Sequence, residues 1–112
     1  MLIYKIFRRT EWEALEREGR TSGAPVDLAD GFIHFSTAEQ APETARKHFA
    51  GMGDLVLAAV EAEALGDALR WERSRGGADF PHLYRALSRE EVLWTAPLPL
   101  VNGQHRFPEA MT

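Results

Sequence analysis

The 112-residue chain contains no cysteine. Disulfide frameworks, thiolate zinc sites and cysteine nucleophiles are thereby excluded. It also lacks any apolar run approaching the roughly 18 residues that a membrane span requires. The longest uncharged stretch, residues 92–105, is broken by Pro97 and Pro99. No basic segment followed by a long apolar one opens the chain, so no signal peptide is read there and a cytoplasmic location is expected. Excess positive charge is missing too. Thirteen Lys+Arg against seventeen Asp+Glu leave a formal charge of −4, which argues against general nucleic-acid binding.

What is present describes a folded protein. The chain is 45% hydrophobic, 10% aromatic and 27% charged, the profile of a single soluble core. A domain of this length buries roughly two-thirds of the surface its unfolded chain exposes, so it needs neither a disulfide nor a metal. One α+β domain is expected over residues 1–101, followed by a polar, partly ordered tail over residues 102–112.

Residues 2–7 form an apolar run rich in β-formers. A capping box at Thr10-Glu11-Trp12-Glu13 opens a helix that buries Trp12 and Leu15 and stops at Gly19. Residues 21–30, with Gly23 and Pro25, read as a loop. Residues 31–35 form a second strand. A second capping box, Thr37 to Gln40, leads into a helix with Ala38, Ala41, Ala45 and Phe49 inward, and Pro42 either moves its start toward Ala41 or kinks it. The continuous apolar run 55–60 suits a strand buried on both faces. Three further strands are expected at 69–73, 82–87 and 91–98, with a loop at 74–81. Two helices against antiparallel or mixed strands give an α+β domain.

Chemistry concentrates in two short segments. In Gly31-Phe32-Ile33-His34-Phe35-Ser36-Thr37, alternation sends Ile33 and Phe35 inward and turns His34 and Ser36 to the other face. A histidine and a hydroxyl so placed lie about 6–7 Å apart, close enough to touch one ligand. The segment also enters a helix N-terminus, where Thr37 and free backbone N–H groups favour an anion. In Phe80-Pro81-His82-Leu83-Tyr84 the same alternation pairs His82 with Tyr84. If the two segments met across a sheet they would make one polar wall; two separate structural pairs are the competing reading.

A basic, glycine-rich loop adjoins the second segment. Residues 70–89 hold five arginines against Glu72 and Asp79, whereas residues 54–67 hold four acids and no base. Arg75 beside Gly76-Gly77 suits a phosphate, and Trp71 or Tyr84 can stack on a ring. No HxH or HExxH spacing is present, so no metal site is expected. No nucleophile elbow occurs either.

Together, Ile3-Tyr4-Lys5-Ile6, Glu11-Trp12, residues 27–37, Gln40, Thr44-Ala45 and residues 80–84 resemble the bacterial family known as domain of unknown function 952. The resemblance runs roughly from Ile3 to Pro99. It implies a fold similar to the ADP-ribosyltransferases, a split α+β sandwich that binds NAD in a cleft between two small sheets. Phe32-Ile33-His34-Phe35-Ser36 is also similar to the His-Val-His-Leu-Ser strand of the NAD-using RNA 2′-phosphotransferases. Where such enzymes carry His or Arg on the first strand, this chain has Lys5, a pyrophosphate contact by that resemblance. For the late-strand glutamate that holds the nicotinamide ribose, the candidates are His82 and Glu72.

The expectation is therefore an ADP-ribosyltransferase-like protein. It would bind NAD, another ADP-ribose-bearing molecule or a phosphorylated ligand at a His34/His82 cleft, with Lys5, Ser36, Thr37, Trp71, Arg75 and Tyr84 as contacts. A binding module without turnover is the alternative. The basic segment allows a local RNA contact, and no membrane association is expected.

Overall fold

Strand β1, Leu2–Arg8, alternates Ile3, Lys5 and Phe7 with Tyr4 and Ile6, so each set faces its own layer. The computed structural model describes residues 1–74 and 77–111; Arg75, expected as a phosphate contact, lies outside them. Helix α1, Arg9–Glu18, buries Trp12 and Leu15 and ends at Gly19 with φ 82°. It starts ahead of the expected Thr10–Glu13 box, because Glu11 accepts the Arg8 backbone N–H at 2.9 Å and pairs with the Arg8 guanidinium at 3.2 Å.

Strand β2, Arg20–Thr21, leads into helix α2, Pro25–Asp30, where the sequence suggested only a loop. Six residues are too few for helical periodicity to show. The helix carries start and stop signals nonetheless: Pro25 in its first turn and Gly31 at its C-cap with φ 86°.

Strand β3 is short, Ile33–His34. Beyond it, Ser36 and Tyr4 exchange backbone hydrogen bonds at 2.8 and 2.9 Å, which ties this segment to β1. The Thr37–Gln40 box forms reciprocally, with bonds of 3.1 and 3.2 Å, as a turn ahead of helix α3, Ala41–His48. Pro42 is accommodated in the first turn of that helix, where its missing N–H is not needed.

Strand β4, Leu55–Glu61, precedes a 3₁₀ segment, Ala62–Ala68, and strand β5, Leu69–Arg73. Strand β6 is Asp79–Leu83, displaced toward the N-terminus from the expected 82–87 and cutting into the expected 74–81 loop. As a proline, Pro81 has no N–H to give to a ladder. Its carbonyl accepts from Phe35, just past the end of β3, so the missing N–H removes no rung of that short ladder. Strand β7 is Leu87–Ser88 and strand β8, after a 3₁₀ turn, is Val92–Pro97. Strands β9, Leu100–Val101, and β10, Gln104–His105, form a hairpin.

All pairings among the described residues are antiparallel. One sheet has the order β1-β4-β8 and another β3-β6-β5, with the small pairs β2-β7 and β9-β10 beside them. The domain is α+β, as expected. Strand β4 is buried on both faces. On one side Ile3, Phe7, Trp12, Ile33, Phe35 and Leu83 join the two larger sheets through a common core. On the other, Tyr4, Ile6, Leu57, Ala41, Ala45 and Leu98 pack α3 against β1 and β4. A side chain such as Leu57, fully buried, contributes about 2 kcal/mol.

Residues 102–111 are tied to the domain at several points. Asn102 and Gly103, at φ 54° and 79°, make the tight turn of the β9-β10 hairpin. His105 Nε2 bonds the Met52 carbonyl at 2.7 Å, and Met111 enters the second core. The polar composition that suggested a tail belongs to the turn and its exposed flanks. Among the described residues, no helix is long and apolar enough to cross a membrane.

Candidate functional site

The β3-β6 register places Ile33 against Leu83 and His34 against His82. The two histidine segments therefore meet, with imidazole centroids 5.3 Å apart. Phe32 completes the face. Its ring stacks on His82 at 4.2 Å and lies 4.6 Å from His34 and 5.2 Å from Tyr84.

Each histidine is anchored through Nδ1 on a different carboxylate. His82 Nδ1 lies 2.8 Å from Glu72 Oε1, and the same oxygen accepts the Tyr84 hydroxyl at 2.7 Å. These bonds, Tyr84 first and His82 second, hold the Glu72 carboxyl below its ordinary range. Tyr84 is pushed upward in turn, because its proton is bonded to Glu72. The Arg70 guanidinium stacks over the Tyr84 ring at 4.9 Å.

His34 Nδ1 lies 2.6 Å from Asp27 Oδ1, and its Nε2 lies 3.0 Å from Asp30 Oδ2. Asp27 is the hub of this side. Its Oδ1 also accepts the His34 backbone N–H at 3.1 Å, while Oδ2 accepts Lys5 Nζ at 2.8 Å and the Ala24 N–H at 2.7 Å. Asp27 is only 1% exposed. Burial pushes its carboxyl up, but the His34 bond, the Lys5 charge and bond, and the Ala24 N–H together outweigh that and hold it at about 2. Lys5 reaches this carboxylate because it occupies the core-facing row of β1, between Ile3 and Phe7.

A shallow groove of about 220 Å³ continues from this face. Leu28, Phe32, Tyr84 and Arg85 are among its walls; neither histidine lines it.

Comparison with known proteins bears on this arrangement. The family model described as Protein of unknown function (DUF952) matches residues 6–95. The chain belongs to that family. The crystal structure of protein CC0527 from Caulobacter crescentus is 58% identical, with a TM-score of 0.91, covering 95% of this chain and 94% of that one. The solution NMR structure of CC0527 is 59% identical, with a TM-score of 0.84, covering 93% and 90% respectively. No curated protein matches.

In this DUF952 protein the expected contacts divide sharply. His34, His82 and Tyr84 come together. Lys5 lies apart from them, its ammonium buried against Asp27. Ser36 is buried as well, its hydroxyl 2.9 Å from Thr44 Oγ1, and Thr37 is engaged with Gln40. Trp71 lies in register with Pro81, whereas Arg70 and Glu72 flank it on the opposite face with His82. The His34–Ser36 alternation failed because β3 ends at His34 and Ser36 turns away to pair with Tyr4.

Sequence reasoning missed Asp27 and Asp30 and gave Phe32 no role in the site. The available signal was Pro25 to Gly31 as a minimal helix, which puts Asp27 in its first turn.

Proposed function

We propose that the His34–His82 face binds NAD or another ADP-ribose-bearing molecule, in an ADP-ribosyltransferase-like protein. The observation that carries this reading is the cross-strand histidine pair, with Glu72 beside it and the Phe32 and Tyr84 rings alongside. The flat rings suit a heterocycle. The exposed carboxylates of Glu72 and Asp30 suit the cationic nicotinamide of oxidised NAD. Glu72, already bonded to His82 and Tyr84, is the candidate for the carboxylate that holds a ribose hydroxyl. Two small antiparallel sheets sharing one core fit the split architecture that the resemblance implies.

Binding without turnover is the second reading. It is favoured by His34, whose two ring nitrogens both already face carboxylates. Calorimetric titration of NAD and ADP-ribose into wild type and His82→Ala, with folding checked by circular dichroism, tests the binding. Heat in the wild type that the folded variant loses supports the site; silence from wild type at millimolar ligand ends the nucleotide reading. Release of nicotinamide on incubation with NAD separates an enzyme from a binder.

A further inference from the structure

His34 is held between two acids of unlike character. Asp27 is fixed: all four of its hydrogen bonds are made, to Lys5, Ala24 and twice to His34, and it is buried. Asp30 is free to move, with its side chain 46% exposed. A neutral imidazole carries one N–H, so it can donate to only one of these carboxylates. Losing the bond to Asp27 would leave a buried carboxylate short of a donor. Losing the bond to Asp30 costs little, because water replaces it. The closeness of residue 23 reinforces the first arrangement. A Cβ at Gly23 would come within 2.3 Å of Asp27 Oδ2, so the loop closes over the carboxylate and fixes it.

We propose that Asp27 is the positioning residue of this site. Whenever the His34 ring carries a single proton, Asp27 keeps it at Nδ1 and leaves Nε2 outward as an acceptor. In that tautomer Nε2 and the Asp30 carboxylate are both acceptors, so the exposed Asp30 turns out to water and leaves Nε2 open to a ligand group. The group must be a donor, a hydroxyl or amide N–H, since Nε2 then offers only a lone pair. Lys5 acts through Asp27 by neutralising it in the core. The proposal rests on the proposed site only in taking His34 as a ligand contact.

The test is the two-bond proton–nitrogen spectrum of the imidazoles in ¹⁵N-labelled full-length protein, recorded above the imidazole titration range. Wild type and Asp30→Asn should both show His34 protonated at Nδ1 and bare at Nε2. A Lys5→Met/Asp27→Leu variant removes both buried charges together, so neither is left unpaired. That variant should lose the Nδ1–H signature at His34 and keep the His82 pattern. Wild-type His34 protonated at Nε2, or a folded double variant that keeps Nδ1–H, would overturn the assignment. Should the double variant fail to fold, the wild-type and Asp30→Asn spectra decide alone. Absence of NAD binding to wild type would remove the nucleotide reading and leave the tautomer result standing.

Discussion

His34 and His82 stand in register across β3 and β6, their rings 5.3 Å apart, yet each takes its orientation from a carboxylate on a third element. Asp27 belongs to α2 and Glu72 to β5. Two strands bring the rings together, and two other elements set which way the ring nitrogens point. The two sides also differ in exposure, with Asp27 inside the core and Glu72 at the surface.

The buried pair makes the first stability prediction. Asp27→Ala leaves the Lys5 ammonium in the core without its anion, at an expected cost of about 3–5 kcal/mol. The Lys5→Met/Asp27→Leu variant removes both charges and should lose clearly less. Urea unfolding at neutral pH measures both; equal losses would mean that the charges are not what the site depends on.

Acid should reveal the same carboxylate. Asp27 is held at about 2, below the ordinary aspartate value of about 3.9, so the unfolded chain binds its proton first as pH falls. Its contribution, about 2 kcal/mol, is complete above about pH 4 and is lost as pH falls toward 2. Unfolding free energies of wild type and the double variant, measured across that window, should converge at the acid end. Parallel curves would contradict this assignment.

Gly23 should tolerate no side chain. Its φ is 106°, and a Cβ would come within 2.3 Å of Asp27 Oδ2 and 2.5 Å of Asp27 Cβ. Gly23→Ala therefore combines backbone strain with a clash against a buried, fully bonded residue. A loss of about 1–3 kcal/mol is expected by denaturant titration. Gly31→Ala, also at positive φ but with open space around it, should lose less.

Glu72→Gln should move the titration of Tyr84. The tyrosine is raised first by its hydrogen bond to Glu72, so removing the carboxylate charge brings it down toward the ordinary value of about 10. Ultraviolet difference titration reads this, with Tyr84→Phe identifying which of the two tyrosines responds. An unmoved midpoint would mean that the Glu72–Tyr84 bond does not persist in solution.

Deleting residues 102–112 should destabilise the domain rather than trim it. Met111 is packed with Tyr4 and Leu98, and His105 bonds Met52. Met111→Ala alone should lose about 2 kcal/mol, the low end for a buried methionine, because it sits at the edge of its core. Thermal unfolding of the truncated chain at the wild-type midpoint would show residues 102–112 to be dispensable.

Much of this was legible before the fold was known. The apolar strand run at residues 2–7, the alternation in residues 80–84, the helix stop at Gly19 and the doubly buried run at residues 55–60 all follow from backbone geometry and the apolar pattern. Those signals are local, because a side chain's direction along a strand depends only on its neighbours. The candidate pairing of His34 with His82 and Tyr84 came from the same rule. Lys5 came from the resemblance, Ser36 from alternation and Trp71 from its ring; Lys5 is buried on Asp27, Ser36 bonds Thr44, and Trp71 lies in register with Pro81.

Partner choice is what only packing settled. Lys5 and Asp27 are 22 positions apart, and Glu72 and Tyr84 are 12 apart. No local periodicity encodes such meetings. They arise because the apolar faces of β1, β3 and β6 must share one core, and closing it carries polar residues of these strands, of α2 and of β5 and its neighbours into fixed contact. The chain's alternation made a lysine in the core-facing row of β1 unavoidable; the folded core supplied the aspartate that makes it tolerable.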